Sequence, residues 1–229
     1  HVITSNKGPL IRAFDELRTL AGKKGLELCY ESTVLAGTPL FSLVEEGLPL
    51  GRIEAFEGVL NGTSNYILDL MEGGSSFDEA LRDAQRRGFT ESDPLLDVEG
   101  WDSAAKAIVV AKAIMGAGVI NLEEVPFEGI RQVTSQMLEE ARRAGGRIRL
   151  VSRILRRPEG VDISVRPEIL PLGHPLSSLS GAHCGAVVVS EYLGDVAIIG
   201  PGTGPRHVAY GLLRDLLALM GGKRDRGEV

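Results

Sequence analysis

The segment from Glu91 to Lys106 carries five carboxylates, Glu91, Asp93, Asp97, Glu99 and Asp102, and one lysine around a loop that leads into a helix. Asp102 and Lys106 are four residues apart, so a helix presents both on one side. An ammonium one turn into a predominantly apolar helix is costly to bury unless it is paired, and Asp97 and Asp102 are the nearby carboxylates that can pair with it. Two readings follow. In one, an ion pair joins loop to helix and Asp102 acts as an N-terminal cap. In the other, Asp97 or Glu91 binds a cationic substrate group while Lys106 exchanges a proton with a developing alkoxide. Local spacing leaves both open.

Two further clusters carry weaker signals. Asn61-Gly62-Thr63-Ser64-Asn65-Tyr66 reads as a helix cap, or as backbone N–H groups able to receive a carboxylate. Gly200-Pro201-Gly202-Thr203-Gly204 stands between a strand and a helix, an order suited to close approach of a phosphate or nicotinamide, but it is not a complete dinucleotide fingerprint. His1, His174, His183 and His207 have no metal-ligand spacing. Cys29 and Cys184 form no zinc-spaced or Cys-x-x-Cys pair, which leaves a reducing, cytoplasmic compartment as the default.

These residues need elements to hold them. The 229-residue chain has a formal charge of −6, with 43% hydrophobic and 24% charged residues, an ordinary globular composition with enough apolar material for one or two packed domains. No apolar run is long enough to cross a bilayer, and mild acidity argues against nucleic-acid binding. The nearest basic run, Arg147, Arg149, Arg153, Arg156 and Arg157, alternates with apolar residues and reads as a strand with one solvated face. Helical periodicity and caps predict helices over 10–24 (opening at Pro9), 39–46, 64–72, 77–87, 102–115, 134–144 and 206–220. Strands are predicted over 1–3, 26–34, 53–60, 147–154, 161–165, 186–190 and 195–199, and a charged, frayed tail over 221–229. Helices interleaved with strands whose order passes from alternation to pairing make the fold class α+β, a mixed β-sheet with helices packed on it.

Taken together, the run from Asn61 through Ile67 and Leu68, then Ala84-Gln85 to Gly88, Glu91 to Asp97, and Gly100-Trp101-Asp102 with Lys106 resemble the catalytic part of homoserine dehydrogenase. Thr4-Ser5-Asn6-Lys7 is similar to that family's Thr-Ala-Asn-Lys segment, and Gly200 to Gly204 to its late glycine loop. The resemblance implies NAD- or NADP-dependent interconversion of L-homoserine and L-aspartate 4-semialdehyde, a step in threonine and methionine biosynthesis. It also implies a substrate-binding and dimerisation domain over 25–195, flanked by Rossmann remnants at 1–24 and 196–229. Lys106 and Lys7 then correspond to two lysines near the reacting oxygen, with Lys106 transferring the proton. Asp102 supports Lys106, Glu91 and Asp97 hold the substrate ammonium, and Thr63 lines the pocket. Asn6, Gly200, Gly202, Thr203 and Gly204 would contact the cofactor. Glu31, Val34, Ala36 and Thr38 would hold a sodium or potassium ion through backbone carbonyls, hard ligands that suit such ions. The implied partners are a small-molecule substrate and a second copy in a homodimer, with no nucleic acid or membrane.

The sequence departs from the family in places. A Rossmann fingerprint is not in the chain, which starts at His1 rather than Met, so upstream residues are expected to precede it. Leu96 stands where some relatives have a carboxylate, Thr38 replaces an aliphatic residue, and His207-Val208 replaces Thr-Ala. The competing readings are an NAD(P) oxidoreductase for another small amino or hydroxy acid, and a non-catalytic regulatory or assembly subunit.

Overall fold

A computed structural model describes residues 1–90 and 94–221. The chain opens with β1 (Val2–Ile3), α1 (Lys7–Lys23) and β2 (Leu28–Cys29), then α2 (Leu40–Ser42), β3 (Ile53–Val59), α3 (Gly62–Glu72), α4 (Phe77–Arg86), α5 (Leu95–Val98) and α6 (Trp101–Met115). It continues through α7 (Ser135–Arg143), β4 (Gly146–Arg157), β5 (Gly160–Pro171), β6 (His183–Ser190), β7 (Gly194–Pro201) and α8 (Pro205–Met220).

The expected α+β layer is present. Five strands form one sheet in the order β5-β4-β3-β6-β7, antiparallel at every pairing. Apart from an isolated parallel bridge between Phe127 and Val165, the described parallel pairing is that of β1 and β2, joined across α1, which makes a small βαβ piece of the kind a Rossmann domain is built from. Helices α3, α6 and α7 cover one face of the large sheet, where Ile67, Ile108 and Leu138 join Phe56, Ile148, Ile154 and Val188 in the main core. Each such side chain contributes about 1.5–3 kcal/mol by leaving water.

The opposite face holds a second cluster of Val59, Val151, Leu170, Leu176, Leu179 and Val187. The turn Pro175–Ser178 packs over it. This cover corrects the reading of the basic run. β4 is a strand, but its arginine face is not a solvated one: Arg149 is 0% exposed. Its guanidinium meets Glu72 Oε1 at 2.9 Å and donates to the carbonyls of Ile148 and Leu179. Arg147 pairs with Asp69 and Glu72, and Arg153 with Glu57 and Glu168.

Three other expectations shift. The strand predicted over 26–34 shrinks to Leu28–Cys29, because Glu31–Thr33 turns into a buried 3-10 helix whose Glu31 carboxylate accepts from the backbone of Phe41 and Ser42. Helix α1 starts at Lys7, two residues before the proline, because the Asn6 side chain caps it by accepting from Gly8 N. The antiparallel strands β4 to β7 run longer than their apolar cores suggest, since the ladder carries on through flanking residues, while β3 ends one residue before its expected end. The tail at 222–229 lies outside the described residues.

Candidate active site

Three elements converge on Asp102. The first is the turn from β3 into α3. Asn61 caps α3 with its side-chain oxygen on Ser64 N at 2.8 Å, and the first turn is buried from Asn61 to Tyr66. Of the two readings of this cluster, the cap is the one observed. The second element is α6, which starts after Gly100 at φ +89°, a left-handed conformation that glycine adopts without strain. Gly100 stands at the capping position, so Asp102 is a residue of the first turn and not the cap. The third is the start of α1, which carries Lys7.

These place two ammonium groups on one carboxylate. Lys106 Nζ lies 2.9 Å from Asp102 Oδ2, and Lys7 Nζ lies 2.9 Å from Asp102 Oδ1. Lys106 also donates to the Leu60 carbonyl at 2.7 Å. Burial opposes the charge on Asp102, but Lys106 and Lys7 outweigh it and hold the carboxyl well below the usual range. Burial likewise opposes the Lys106 ammonium, yet the adjacent Asp102 carboxylate outweighs it and raises the lysine above its ordinary value. Of the two readings offered for this segment, the ion pair on Lys106 exists, but it lies within α6 instead of between loop and helix, Lys7 extends it to α1, and Asp102 faces a cleft.

That cleft, about 520 Å³, is lined by Lys7, Gly88, Phe89, Thr90, Leu96, Asp97, Trp101, Asp102, Ala105 and Leu122. Asp97 and Asp102 thus share a wall with Lys7. Lys106 is outside the lining and retains 13% of its side-chain exposure. Thr63 does not reach the wall either: its hydroxyl donates to the Phe89 carbonyl at 2.8 Å, which ties the cap of α3 to the cleft floor. Glu91 lies outside the described residues.

Two further polar residues complete the arrangement, of which Thr90 was not singled out in the sequence. Asn61 Nδ2 donates to Asp97 Oδ1 at 2.7 Å and to Asp102 Oδ2 at 2.9 Å. Thr90 Oγ1 donates to Asp97 Oδ2 at 2.7 Å. The cap signal flagged Asn61, but only for its oxygen.

The residues expected at the cofactor and cation sites meet one another. A Cβ at Gly200 would lie 2.0 Å from Thr38 Oγ1, and one at Gly202 would lie 2.1 Å from Cys184 Sγ, so both glycines allow close packing of this chain against itself. Cys184 is buried, which pushes its thiol up to about 12, and it lies within electrostatic reach of Lys106 and Asp102. Thr203 and Gly204 remain partly open at the N-terminus of α8, and Asn6 is exposed beside Lys7. Within the 31–38 loop the Glu31 carboxylate is fully engaged by Phe41 N, by Ser42 N and Oγ, and by Arg214. Ala36 takes a positive φ of 50°, the only non-glycine to do so among the described residues. No cluster of three or more His, Cys, Asp or Glu side chains suited to a metal occurs among the described residues.

The sequence model of the family described as homoserine dehydrogenase matches residues 39–217. The chain is 39% identical over 218 residues to the NAD(+)-dependent homoserine dehydrogenase of Pseudomonas canavaninivorans, covering 95% of this chain and 62% of that one. The solved homoserine dehydrogenase of Thiobacillus denitrificans superposes with a TM-score of 0.90 at 31% identity, over 100% of this chain and 54% of that one. A hyperthermophilic archaeal homoserine dehydrogenase in complex with NADPH superposes with a TM-score of 0.82 at 32% identity, over 97% and 64%. The chain therefore spans between about half and two thirds of the length of these relatives. Since the match takes in the cleft carboxylates, Lys106 and the whole sheet behind them, the chain belongs to the homoserine dehydrogenase family.

Proposed function

We propose that this chain supplies the substrate-binding and proton-handling part of an enzyme that interconverts L-homoserine and L-aspartate 4-semialdehyde with NAD or NADP. The observation that carries the reading is the Asp102 carboxylate shared by Lys7 and Lys106, each at 2.9 Å, beside Asp97 in one cleft.

Asp97, its two oxygens held by Asn61 and Thr90, faces the cleft and pairs with the substrate ammonium. Glu91 is assigned to the same ammonium. Lys106 handles the hydroxyl proton: as the neutral amine it accepts the proton during oxidation, and as the ammonium it donates one to the carbonyl oxygen during reduction. Asp102 keeps Lys106 charged at neutral pH, which suits the donating role. Lys7 adds positive charge where the oxygen becomes anionic. Leu96, Trp101 and Leu122 give the cleft an apolar rim that excludes water from the exchange. Thr63 sets the cleft floor through Phe89.

A bound nicotinamide would supply the hydride acceptor for the substrate's C4 in oxidation and the donor in reduction. The residues present fit one side of such a cofactor. Thr203 and Gly204 stand open at the N-terminus of α8, a helix of 16 residues, and Asn6 is exposed next to Lys7, whereas Gly200 and Gly202 would contribute backbone only. Likewise, the carbonyls at Glu31, Val34, Ala36 and Thr38 would hold a sodium or potassium ion. The left-handed turn at Ala36 supports this, as does the engagement of the Glu31 carboxylate elsewhere. On this reading residues 1–24 and 196–229 belong with the nucleotide-binding part and 25–195 form the substrate domain. The protein resides in the cytoplasm and works as a homodimer. Exposed apolar side chains at Ile169, Leu172, Tyr192 and Leu193 support the dimer, and two free cysteines support the compartment.

The test is homoserine-dependent reduction of NAD and of NADP, followed by absorbance, on the complete protein expressed from its own gene. Turnover with either cofactor is expected, and a folded protein with none refutes the reading. Lys106→Ala should lower turnover by about 10²–10⁴-fold while the fold is kept.

A further inference from the structure

We propose that Asn61 is a positioning residue whose amide fixes how far apart, and at what angle, Asp97 and Asp102 stand. The proposal rests on the reading above, in which one carboxylate anchors the substrate and the other governs the lysines.

Asn61 is 4% exposed and every hydrogen-bonding position of its side chain is filled. The oxygen accepts from Ser64 N at 2.8 Å and Ser64 Oγ at 3.0 Å. The amide nitrogen gives one N–H to Asp97 at 2.7 Å and the other to Asp102 at 2.9 Å. This orientation is dictated by the surroundings. A flipped amide would set its N–H groups against the Ser64 N–H and its oxygen against two carboxylates.

Asp97 ends on α5 and Asp102 on α6, with the left-handed Gly100 between them, so neither helix alone fixes their relation. Two like charges this near repel, and a neutral group with two donors is what lets them converge. The other charged or titratable groups around the amide are Lys106 and Lys7 on Asp102, and the Cys184 thiol facing both Asp102 and Lys106. Each bond from Asn61 goes to a charged acceptor, the stronger kind. Losing both should therefore spread the distance between the substrate anchor and the proton-handling pair.

Two variants separate this role from capping. Asn61→Asp and Asn61→Ser both keep an oxygen that can cap α3, and both lose the two amide donations. In the complete protein, kcat/KM for homoserine is expected to fall about 10- to 100-fold in both variants, with N61S melting nearer to wild type than N61D, whose third carboxylate repels the other two. The rise should fall mainly on KM. N61D should also regain activity as the pH falls, because a protonated carboxyl can donate again; N61S should not. A residue that merely capped the helix would move neither KM nor the pH profile. Both variants within about twofold of wild type at every pH would overturn the proposal.

Inactivity of the unsubstituted protein on homoserine would instead sink the functional reading. The crystal structure of N61S decides the positioning role independently: Asp97 and Asp102 turning apart supports it, and carboxylates unmoved overturn it.

Discussion

Substituting Gly202 by alanine tests whether the glycine loop is mechanically joined, through the buried Cys184, to the site around Lys106. A Cβ there would lie 2.1 Å from Cys184 Sγ, 2.7 Å from the Ala182 carbonyl oxygen and 2.9 Å from Cys184 Cβ. Packed carbon and sulfur atoms sit about 3.5–4 Å apart, so the thiol must retreat by about 1.5 Å. Cys184 is 1% exposed, so it has no open side to swing into. Overpacking of this kind costs about 1–3 kcal/mol. Cys184 lies within electrostatic reach of Lys106, and a misplacement of about 1 Å in a catalytic group can cost about 100-fold in rate. The assay pairs urea unfolding with homoserine turnover in G202A, C184A and the double variant. Removing Sγ relieves the worst overlap but leaves the Ala182 oxygen, so the double variant should recover part of both losses, with a coupling of about 1 kcal/mol. G202A matching wild type within about 0.5 kcal/mol and twofold in rate, or strictly additive effects in the cycle, would refute the linkage.

Further outcomes follow from the same geometry. Asp102→Asn leaves burial of Lys106 unopposed by its nearest carboxylate, so the lysine's pKa should fall and the acidic limb of the pH–rate profile for homoserine oxidation should move to lower pH; a limb that stays in place counts against Lys106 as the proton acceptor. The depressed pKa of Asp102 also means that its contribution to stability is present above its unfolded pKa and lost as pH falls through the folded one. Acid titration of stability should therefore be shallower in D102N than in wild type. Glu72→Ala strands the fully buried Arg149 guanidinium and should cost about 3–5 kcal/mol in urea unfolding. Adding Arg149→Met should restore most of that loss, and a double variant no better than E72A would show that the guanidinium is not stranded. Asp97→Asn should raise KM for homoserine while leaving a deaminated analogue unaffected; equal losses on both would remove Asp97 from the ammonium.

The site was legible where chemistry is local. A capping asparagine and an acid–lysine pair four residues apart depend on helix geometry alone, and both are observed. What escaped depends on distant chain. Arg149 reads as solvent-facing by alternation, and only the turn at Pro175–Ser178 and Glu72 on α3 bury and pair it. The apolar run after Leu26 promises a strand, but Glu31 is drawn into a turn by Ser42 and by Arg214 at the far end of the chain. The amide of Asn61 was invisible for a similar reason. Its cap lies three residues away, while its two carboxylates lie 36 and 41 residues on.

Lys7 and Lys106 share Asp102 beside Asp97, so among the described residues the site's positive and negative side chains number two of each, with Lys106 behind the lining. Under the proposed function, Glu91 would add one further negative charge. A ligand that brings a cationic group would relieve that excess, whereas a dicarboxylate would add to it in a partly dry site, at a cost of several kcal/mol. On that reading the site would select by charge before any individual contact is made.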